Sequence, residues 1–312
     1  MVSSKHIPVM LNEVLKALNP RDGEIYVDAT FGNGGYTEAI LKSANCRVIA
    51  IDRDPFVLKR AEELKSVYGE RFTFVSGTFS QIDNLIQSLV NGVVFDIGVS
   101  SMQLDNPERG FSFSKEAPLD MRMSQAGLSA RDIINSMNEH ELADLIYKYG
   151  EERKSRQIAH AIVLYRTQKP IETTTELAQI IYSVLPKKRE QIDPATRTFQ
   201  AIRIAVNDEL QQLKDGLMGA LNITLPEGRV VVVDFHSLED RIVKSFFTEN
   251  SDKKIHVSRY KIDTLSISSE SSKPFSFASK VILPTEEECT VNPRARSAKL
   301  RYAIKRKEQS HE

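Results

Sequence analysis

The chain has 312 residues, 41% of them hydrophobic and 27% charged, which is typical of a globular protein with one large domain or two smaller ones. Its 42 basic and 42 acidic residues cancel, so a nucleic-acid partner has to be bound by local basic patches. The two cysteines, Cys46 and Cys289, provide neither a disulfide framework nor a metal site, which predicts a reduced, cytoplasmic protein without a metal. The N-terminal residues contain no long apolar run, so we expect neither a signal peptide nor a membrane span.

The first third of the chain alternates between two kinds of apolar pattern. Short apolar runs predict strands at Ile25–Ala29, Arg47–Ile51, Phe72–Val75 and Val93–Ile97. The runs between them are helical in length and pattern: Tyr36–Ala44, Phe56–Tyr68 and Phe79–Leu89. This alternation predicts a parallel α/β sheet.

The middle of the chain has few strand signals and predicts helices at Glu139–Tyr149, Glu151–Thr167 and Thr174–Leu185. Asp193 and Pro194 are typical of a helix start. After them, one helix is predicted to carry a continuous apolar face, formed by Phe199, Ile202, Val206, Leu210, Leu213 and Leu217.

Strand character returns at Gly228–Phe235, and a helix is predicted over Ser237–Glu249. Residues 263–280 are rich in serine and lysine and predict a mobile loop. The sheet is therefore expected to be interrupted by a helical insert and then resumed. We assign residues 1–105 and 216–312 to a discontinuous α/β domain and residues 106–215 to the inserted helical domain, which we expect to recognise the substrate.

A glycine-rich turn after the first predicted strand indicates a nucleoside cofactor. Gly32, Gly34 and Gly35 allow a sharp turn and close approach to a ligand. Asp52 ends the second strand, where such units offer a carboxylate to ribose hydroxyls. Thr37 replaces the third glycine of the dinucleotide fingerprint, which argues against NAD or FAD and favours a ligand without a pyrophosphate, such as S-adenosylmethionine. The alternative is a glycine turn without a ligand.

Two further segments follow predicted strands and are expected at the same edge of the sheet. Phe79 comes after the third strand, where its flat side chain could cover an adenine ring; the alternative is a core aromatic residue. Asp96 begins the segment Asp96–Ser101 after the fourth strand; its alternative role is a helix cap.

The chain closely resembles the bacterial ribosomal RNA small-subunit methyltransferase H family, also known as the MraW family, over roughly residues 5 to 303. Ten segments in register carry the resemblance. They are His6–Met10, Thr30–Gly35, Ile51–Asp54, Asp96–Asp105, Arg109–Phe113, Pro118–Met123, Tyr149–Glu152, Pro194–Arg203, Phe235–Arg241 and Asn292–Ser297.

The resemblance implies an S-adenosylmethionine-dependent enzyme that methylates N4 of one cytosine in the decoding region of 16S ribosomal RNA, in the small ribosomal subunit. It also implies a class I methyltransferase fold, Rossmann-like and doubly wound, with an inserted all-helical domain, and a homodimer. The cofactor positions that it implies are Gly34, Gly35, Tyr36, Asp52, Phe79, Asp96 and Gln103. The chain departs from the family at Tyr36, where relatives have histidine, and at Asp234, where they have serine.

Methyl transfer from a sulfonium is an in-line displacement that needs no covalent intermediate. The cytosine amine is a poor nucleophile, so an acceptor for its hydrogens and a stabiliser of the developing positive charge are expected. We expect the segment Asp96–Ser101 to line that pocket, with Ser100 and Ser101 as candidates if Asp96 binds the cofactor. His236 is a further candidate for orienting the base; the alternative is a structural histidine at a strand end.

A basic stretch near the C-terminus is the candidate RNA surface. Arg294–Lys307 contains seven lysine or arginine residues and no acid. We predict phosphate contacts there and at Lys187–Arg189, with these individual candidates: Arg197, Arg203, Arg294, Arg296, Lys299 and Arg301. The alternative for residues 303–312 is a solvated terminal tail.

Three other functions are compatible with parts of the sequence. A nicotinamide-dependent oxidoreductase is disfavoured by the missing third glycine and by the absence of a substrate-acid motif. A non-catalytic RNA-binding or assembly factor is disfavoured by the intact glycine turn, Asp52 and Asp96. A DNA amino-methyltransferase would need a motif of the Asp-Pro-Pro-Tyr type, which Asp96–Val99 replaces.

Overall fold

The computed structural model describes residues 8–187, 193–252 and 273–307. Contacts divide the chain into a first unit, Met1–Gly98 with Gln212–Glu312, and a second unit, Val99–Gln211. The borders between the two units thus lie at 98/99 and 211/212, whereas the sequence predicts domain borders at 105/106 and 215/216.

The first unit is built on a seven-stranded sheet in the order β3-β2-β1-β4-β5-β7-β6. Strands β1 to β5 run parallel, and β7 pairs antiparallel with both β5 and β6. The strand order reverses between β1 and β4, the place where doubly wound sheets bind ligands. The predicted α/β fold class is confirmed. The strands are β1 Ile25–Asp28, β2 Arg47–Asp52, β3 Phe72–Ser76, β4 Val90–Asp96, β5 Thr224–Asp234, β6 Phe275–Ala278 and β7 Lys299–Lys305.

The helices of the first unit come from both ends of the chain, whereas those of the second unit are consecutive. In chain order, the α-helices of the described residues are α1 Leu11–Leu18, α2 Gly35–Ser43, α3 Leu58–Tyr68, α4 Ile82–Leu85, α5 Ser101–Asp105, α6 Ala130–Ser136, α7 Glu139–Gly150, α8 Ser155–Arg166, α9 Thr174–Val184, α10 Ala195–Asn207, α11 Glu209–Ile223, α12 Ser237–Glu249 and α13 Glu286–Val291.

Each unit has its own apolar core. In the first unit, the central strands read as nearly continuous apolar runs, because helices cover both faces of a parallel sheet; Val93, Phe95 and Val232 are fully buried. In the second unit, the apolar faces of α6 to α10 bury one another, with Ile146 and Ile202 fully excluded from solvent. No helix in the described ranges is both long and apolar enough to span a bilayer.

The structure corrects two predicted helices. The one predicted over Phe79–Leu89 is only a 3₁₀ turn at Phe79–Gln81 followed by α4. Ile86 leaves the helix in an extended conformation and buries its side chain, so the chain is already turning into β4. The helix predicted to begin at Glu151 begins at Ser155 instead, because Glu151 ends α7 in the left-handed conformation.

The long helix predicted after Pro194 is also wrong, because it breaks into α10 and α11 at Asp208. That residue has a φ of 48°, which aspartate tolerates better than most residues. The buried Asn207 fixes the break: its side chain donates to the carbonyl of Met121 (2.7 Å) and accepts from the amide of Met123 (2.9 Å).

Two strands near the C-terminus were missed. Residues 275–278, predicted to lie in a mobile loop, form β6, whose Phe275 is fully buried; residues 263–272 of that loop lie outside the described residues. Lys299–Lys305, interpreted only as a basic stretch, is β7, which buries Leu300 and Ala303. This strand was not predicted because its lysine and arginine residues interrupt the apolar pattern that indicates a strand.

Candidate functional site

The glycine turn after β1 is held by packing as well as by backbone conformation. Gly34 caps α2 with a φ of 72°, and its amide donates to the carbonyl of Phe31 at 2.7 Å. A Cβ at this position would lie 2.8 Å from Leu64 Cδ1 and 2.9 Å from Phe31 Cε2. Only glycine therefore fits at this position of the turn, which leads directly into α2.

Asp28, at the end of β1, ties the turn to the sheet. Its carboxylate accepts from the Thr37 hydroxyl (2.7 Å), the Thr37 amide (3.1 Å) and the Thr30 amide (3.2 Å). Thr37 is fully buried. The residue that broke the dinucleotide fingerprint is thus a partner of Asp28, a role that fingerprint spacing alone does not reveal. Burial raises the pKa of Asp28 to about 6, against the opposing effect of the Thr37 and Thr30 hydrogen bonds.

Asp52, at the end of β2, closes the other side of the turn. Its carboxylate accepts from the amides of Gly32 (2.7 Å) and Asp54 (2.9 Å). A carboxylate has about four acceptor positions, so these two bonds leave capacity for ribose hydroxyls. Burial raises the pKa of Asp52, and the two backbone bonds oppose that rise.

Asp96, at the end of β4, has an uncommitted acceptor. Its amide donates to Thr30 Oγ1 (2.7 Å), but its buried Oδ1 accepts no hydrogen bond from any described residue. Burial, with the nearby carboxyls of Asp28 and Glu239, raises the pKa of Asp96 to about 8. A buried polar atom without a partner is rare in folded proteins and indicates an absent partner, such as a ligand.

The side chains of Phe79 and Tyr36 both make contacts within the protein that limit what they can offer a ligand. Phe79 is half-buried and meets Phe95 edge-on, with ring centroids 5.7 Å apart, and Gly216 of α11 approaches it closely. The Tyr36 side chain is buried, and its hydroxyl donates to the carbonyl of Val9. A ligand contact by Tyr36 is therefore expected from its backbone.

Three predicted site residues, Ser100, Ser101 and Gln103, belong to the second unit. Ser100 Oγ accepts from the Gln103 amide (3.2 Å), and Gln103 Oε1 accepts from the Ser100 amide (3.0 Å). This capping box starts α5 and leaves the Ser100 hydroxyl proton available to donate. Their roles toward cofactor or base stay predictions.

His236 caps α12 together with Glu239. Its Nδ1 accepts from the Glu239 amide at 3.4 Å, whereas its buried Nε2 lies 3.0 Å from Glu239 Oε1 without a hydrogen bond to any described residue. The other carboxylate oxygen of Glu239 accepts from the amides of Phe235 (2.9 Å) and His236 (3.2 Å). These contacts favour the structural alternative for this histidine.

Asp234, the residue that differs from the family pattern, is a fully buried carboxyl beside an ionic cluster. Neither of its oxygens accepts a hydrogen bond from a described residue. Burial raises its pKa to about 8, together with the acids Glu239 and Asp240, while Lys299 and Arg301 oppose the rise. The carboxyls in the described part of the chain form no group arranged to hold a metal ion.

We expect Asp234→Asn to stabilise the protein increasingly as pH rises from about 4 to about 8, with little further change above that. A carboxyl whose pKa is raised on folding contributes stability below its unfolded pKa and loses it as pH rises through the folded pKa, about 8 here. Melting temperatures of both proteins across this range measure the effect. Asp240→Asn is the matched control of opposite sign, because bonds from Lys299 and Arg301 outweigh burial and lower the pKa of Asp240. Parallel melting curves for wild type and Asp234→Asn would contradict the prediction.

The predicted RNA-binding residues differ in how far they are already paired. Arg203 makes two bonds of 2.9 Å to Glu209, and Lys299 and Arg301 each lie 2.9 Å from an oxygen of Asp240.

The remaining candidates are more exposed. Arg294 and Arg296 are exposed, and the half-exposed Arg197 lies 3.8 Å from Glu152. Lys187 pairs with Asp193, whereas Lys188 and Arg189 lie outside the described residues. Phosphate binding is therefore best supported at Arg197, Arg294 and Arg296.

The first-unit residues together suit a nucleoside cofactor. The glycine turn leads into the start of α2, Asp52 retains acceptor capacity, and Asp96 has a buried oxygen that accepts no hydrogen bond from a described residue. The buried pair of Asp28 and Thr37 occupies the position where a dinucleotide site has its third glycine. These residues therefore fit S-adenosylmethionine and fit a dinucleotide poorly.

Comparison with known proteins gives one family. Residues 3–306 match the model of the MraW methylase family. The Rickettsia massiliae protein named ribosomal RNA small subunit methyltransferase H is 54% identical over 299 residues, which cover 96% of this chain and 97% of that protein. The protein of the same name from Rickettsia akari is 52% identical over 301 residues, covering 96% and 98%.

Among solved structures, an rRNA methylase from Streptococcus thermophilus aligns with 98% of this chain and 100% of its own. The TM-score is 0.40 and the sequence identity 11%. A structural similarity at this level carries no argument about function, and the fold class is given by the strand order of the chain itself.

Proposed function

The chain belongs to the MraW methylase family, and from this membership we propose that it methylates N4 of a cytosine in the decoding region of 16S ribosomal RNA. It is an enzyme, and S-adenosylmethionine is its methyl donor. The names of the Rickettsia relatives support small-subunit ribosomal RNA as the substrate.

The residues that would hold the donor lie mainly at the carboxyl ends of β1 to β4. Asp52 is assigned to the ribose hydroxyls, Phe79 to the adenine ring, and the backbone of Gly34, Gly35 and Tyr36 to the remainder, with Gln103 as a predicted contact from the second unit. When bound, S-adenosylmethionine supplies a methyl group on a sulfonium sulfur that is open to in-line attack by a nucleophile.

The uncommitted Oδ1 of Asp96 is the observation that carries the proposal. The lone pair of a cytosine amine is delocalised into the ring, and positive charge develops on the nitrogen as it attacks. A carboxylate that accepts an amine hydrogen favours the nucleophilic form and stabilises that charge. A pKa near 8 suits Asp96 to receive the proton, since a base works best when its pKa is close to the working pH.

Ser100, Ser101 and His236 remain secondary proposals for contacts to the base. Ser100 retains a donor hydrogen after capping α5. His236 caps α12 through Nδ1, which gives its ring a structural role, although its buried Nε2 has no hydrogen bond to a described residue.

The target base has to be unpaired to reach a buried carboxylate, which costs a few kcal/mol if the nucleotide is flipped out. We assign phosphate contacts chiefly to Arg197, Arg294 and Arg296, because these residues are more exposed than Arg203, Lys299 and Arg301. We further propose that the enzyme acts in the cytoplasm on the small ribosomal subunit and forms a homodimer.

Mass spectrometry of 16S ribosomal RNA, from cells with and without the gene, tests the proposal. We expect N4-methylcytidine to disappear without the gene and to return with the wild-type gene but not with one encoding Asp96→Ala. Purified enzyme should also transfer labelled methyl groups to small subunits or to protein-free 16S RNA. An unchanged nucleoside profile in the deleted strain would exclude this substrate.

A further inference from the structure

Three cations cluster where α8 begins, at a place where a helix does not favour them. Arg153, Lys154 and Arg156 flank the first residue of α8, and all three are exposed. None of their side chains forms an ion pair with a residue that the structure describes. The start of a helix carries a partial positive charge, so cations placed there destabilise the helix. Their presence therefore calls for a reason other than the stability of α8.

Three other helices of the second unit, α6, α7 and α9, carry acidic residues in their first turns, whereas α5, α8 and α10 carry none. At α8 the acids are not only absent but replaced by cations at and next to the helix start. Because the chain as a whole has as many basic as acidic residues, the cations here form a local basic surface and do not reflect a general excess.

The end of α7 and the start of α10 meet beside these cations. A Cβ on Gly150, the last residue of α7, would lie 2.5 Å from the carbonyl oxygen of Arg197. Gln200 donates to the carbonyl of Tyr149 at 3.2 Å. The half-exposed guanidinium of Arg197 is thus fixed next to the turn between α7 and α8.

Aromatic rings accompany the cations. Tyr147, in the last turn of α7, is 62% exposed, which is unusual for an aromatic ring on a helix that packs into a core. The ammonium of Lys148 lies 5.0 Å from the ring centre of Tyr149. The acids in this stretch of chain are Asp144, one turn before Lys148 in α7, the exposed Glu151 and the buried Glu152.

We propose that the α7–α8 basic surface, formed by Tyr147, Lys148, Arg153, Lys154, Arg156 and Arg197, binds a single-stranded segment of the RNA substrate. Single strands are held by cations that follow the phosphates and by exposed aromatic rings that stack on bases, and this surface offers both. An acidic protein would match the cations but would leave Tyr147 unexplained. The inference rests on the proposed function and adds a binding surface within the second unit.

Two sets of variants test the two contributions separately. Tyr147→Ala removes the stacking ring and Tyr147→Phe keeps it; we expect affinity for protein-free 16S RNA to fall about tenfold for the first and to change little for the second. Replacing Arg153, Lys154 and Arg156 together by glutamine should reduce the slope of log affinity against log salt by roughly 2, because each phosphate contact to a single strand contributes about 0.7.

The matched control replaces Lys59, Lys214 and Lys244 by glutamine, three exposed lysines of the first unit with the same total charge. Donor affinity by calorimetry and melting temperature show that each variant is folded. Because α8 loses cations at its start, the triple variant should melt no lower than wild type.

The outcomes separate this inference from the proposed function. If wild type transfers no methyl group to small-subunit RNA, the proposed function fails. If wild type methylates the RNA but the triple variant and Tyr147→Ala bind it as wild type does, the RNA surface is overturned. Loss of binding to assembled subunits with unchanged binding to protein-free RNA also overturns it, because the partner would then be a ribosomal protein.

Discussion

Asp96→Ala is expected to lower the rate of methyl transfer by about a thousandfold, since removal of one oriented polar group that stabilises developing charge costs 10²–10³ or more in turnover. The carboxylate has a buried oxygen that accepts no hydrogen bond from a described residue, and it lies at the end of β4, at the edge of the sheet where ligands bind. Single-turnover transfer to small-subunit RNA at saturating donor measures the loss.

The variant Asp96→Asn removes the negative charge of the side chain but keeps its shape, so it distinguishes the two contributions to turnover. The amide is isosteric, so donor affinity should change far less than turnover. For wild type, kcat/KM should rise with pH and level off above about 8, because Asp96 accepts a proton only when ionised and its pKa is raised to about 8 by burial and by Asp28 and Glu239. The rise in kcat should come at lower pH, since a bound sulfonium cation favours the carboxylate.

Two results would contradict the role of Asp96. Turnover of Asp96→Ala within a few-fold of wild type would assign the acceptor to another group, with Ser100 as the next candidate. A pH profile that is the same in wild type and Asp96→Asn would show that the rise belongs to a different titrating group.

Asp28→Ala is expected to destabilise the protein by about 3 kcal/mol and to weaken donor binding, because it leaves a buried hydroxyl and two amides without their acceptor. The lost partners belong to Thr30 and Thr37, which bracket the glycine turn. Urea unfolding and calorimetry with S-adenosylmethionine measure the two effects.

Thr37→Val is the matched companion, since it removes only the hydroxyl at nearly constant shape and should cost about 1 kcal/mol. The two changes share a partner, so the double variant should be less destabilised than the sum of the single ones. Additive effects would show that the bond between Asp28 and Thr37 does not stabilise the turn. Thr37→Ser, which keeps the hydroxyl, should retain donor affinity.

The local apolar pattern was enough to predict those helices and strands whose apolar residues are the ones buried in the core. The helix Ser237–Glu249 was predicted with both of its ends, because a buried strand precedes it and its apolar period is regular. The first four strands were placed within a few residues for the same reason. The positions of Asp52 and Asp96 followed from strand ends that meet at one edge of the sheet.

Features that depend on contacts between residues distant in sequence could not be predicted. The break at Asp208 is fixed by bonds from Asn207 to residues more than eighty positions earlier. β7 was concealed because Lys299 and Arg301 read as solvent-exposed cations until Asp240 of α12 is placed beside them. The role of Thr37 likewise depends on Asp28 facing it across the turn.

The strand order has a consequence for synthesis on the ribosome. β4 pairs with β5, and β5 with β7, so the sheet is incomplete until nearly the whole polypeptide has left the exit tunnel. The second unit is continuous in sequence and ends at Gln211, so a nascent chain can complete it earlier. The edge of β4 lacks its neighbour until β5 emerges, and the edge of β5 then stays open until β7 emerges. These open edges are the parts of the newborn protein that need protection from premature strand pairing.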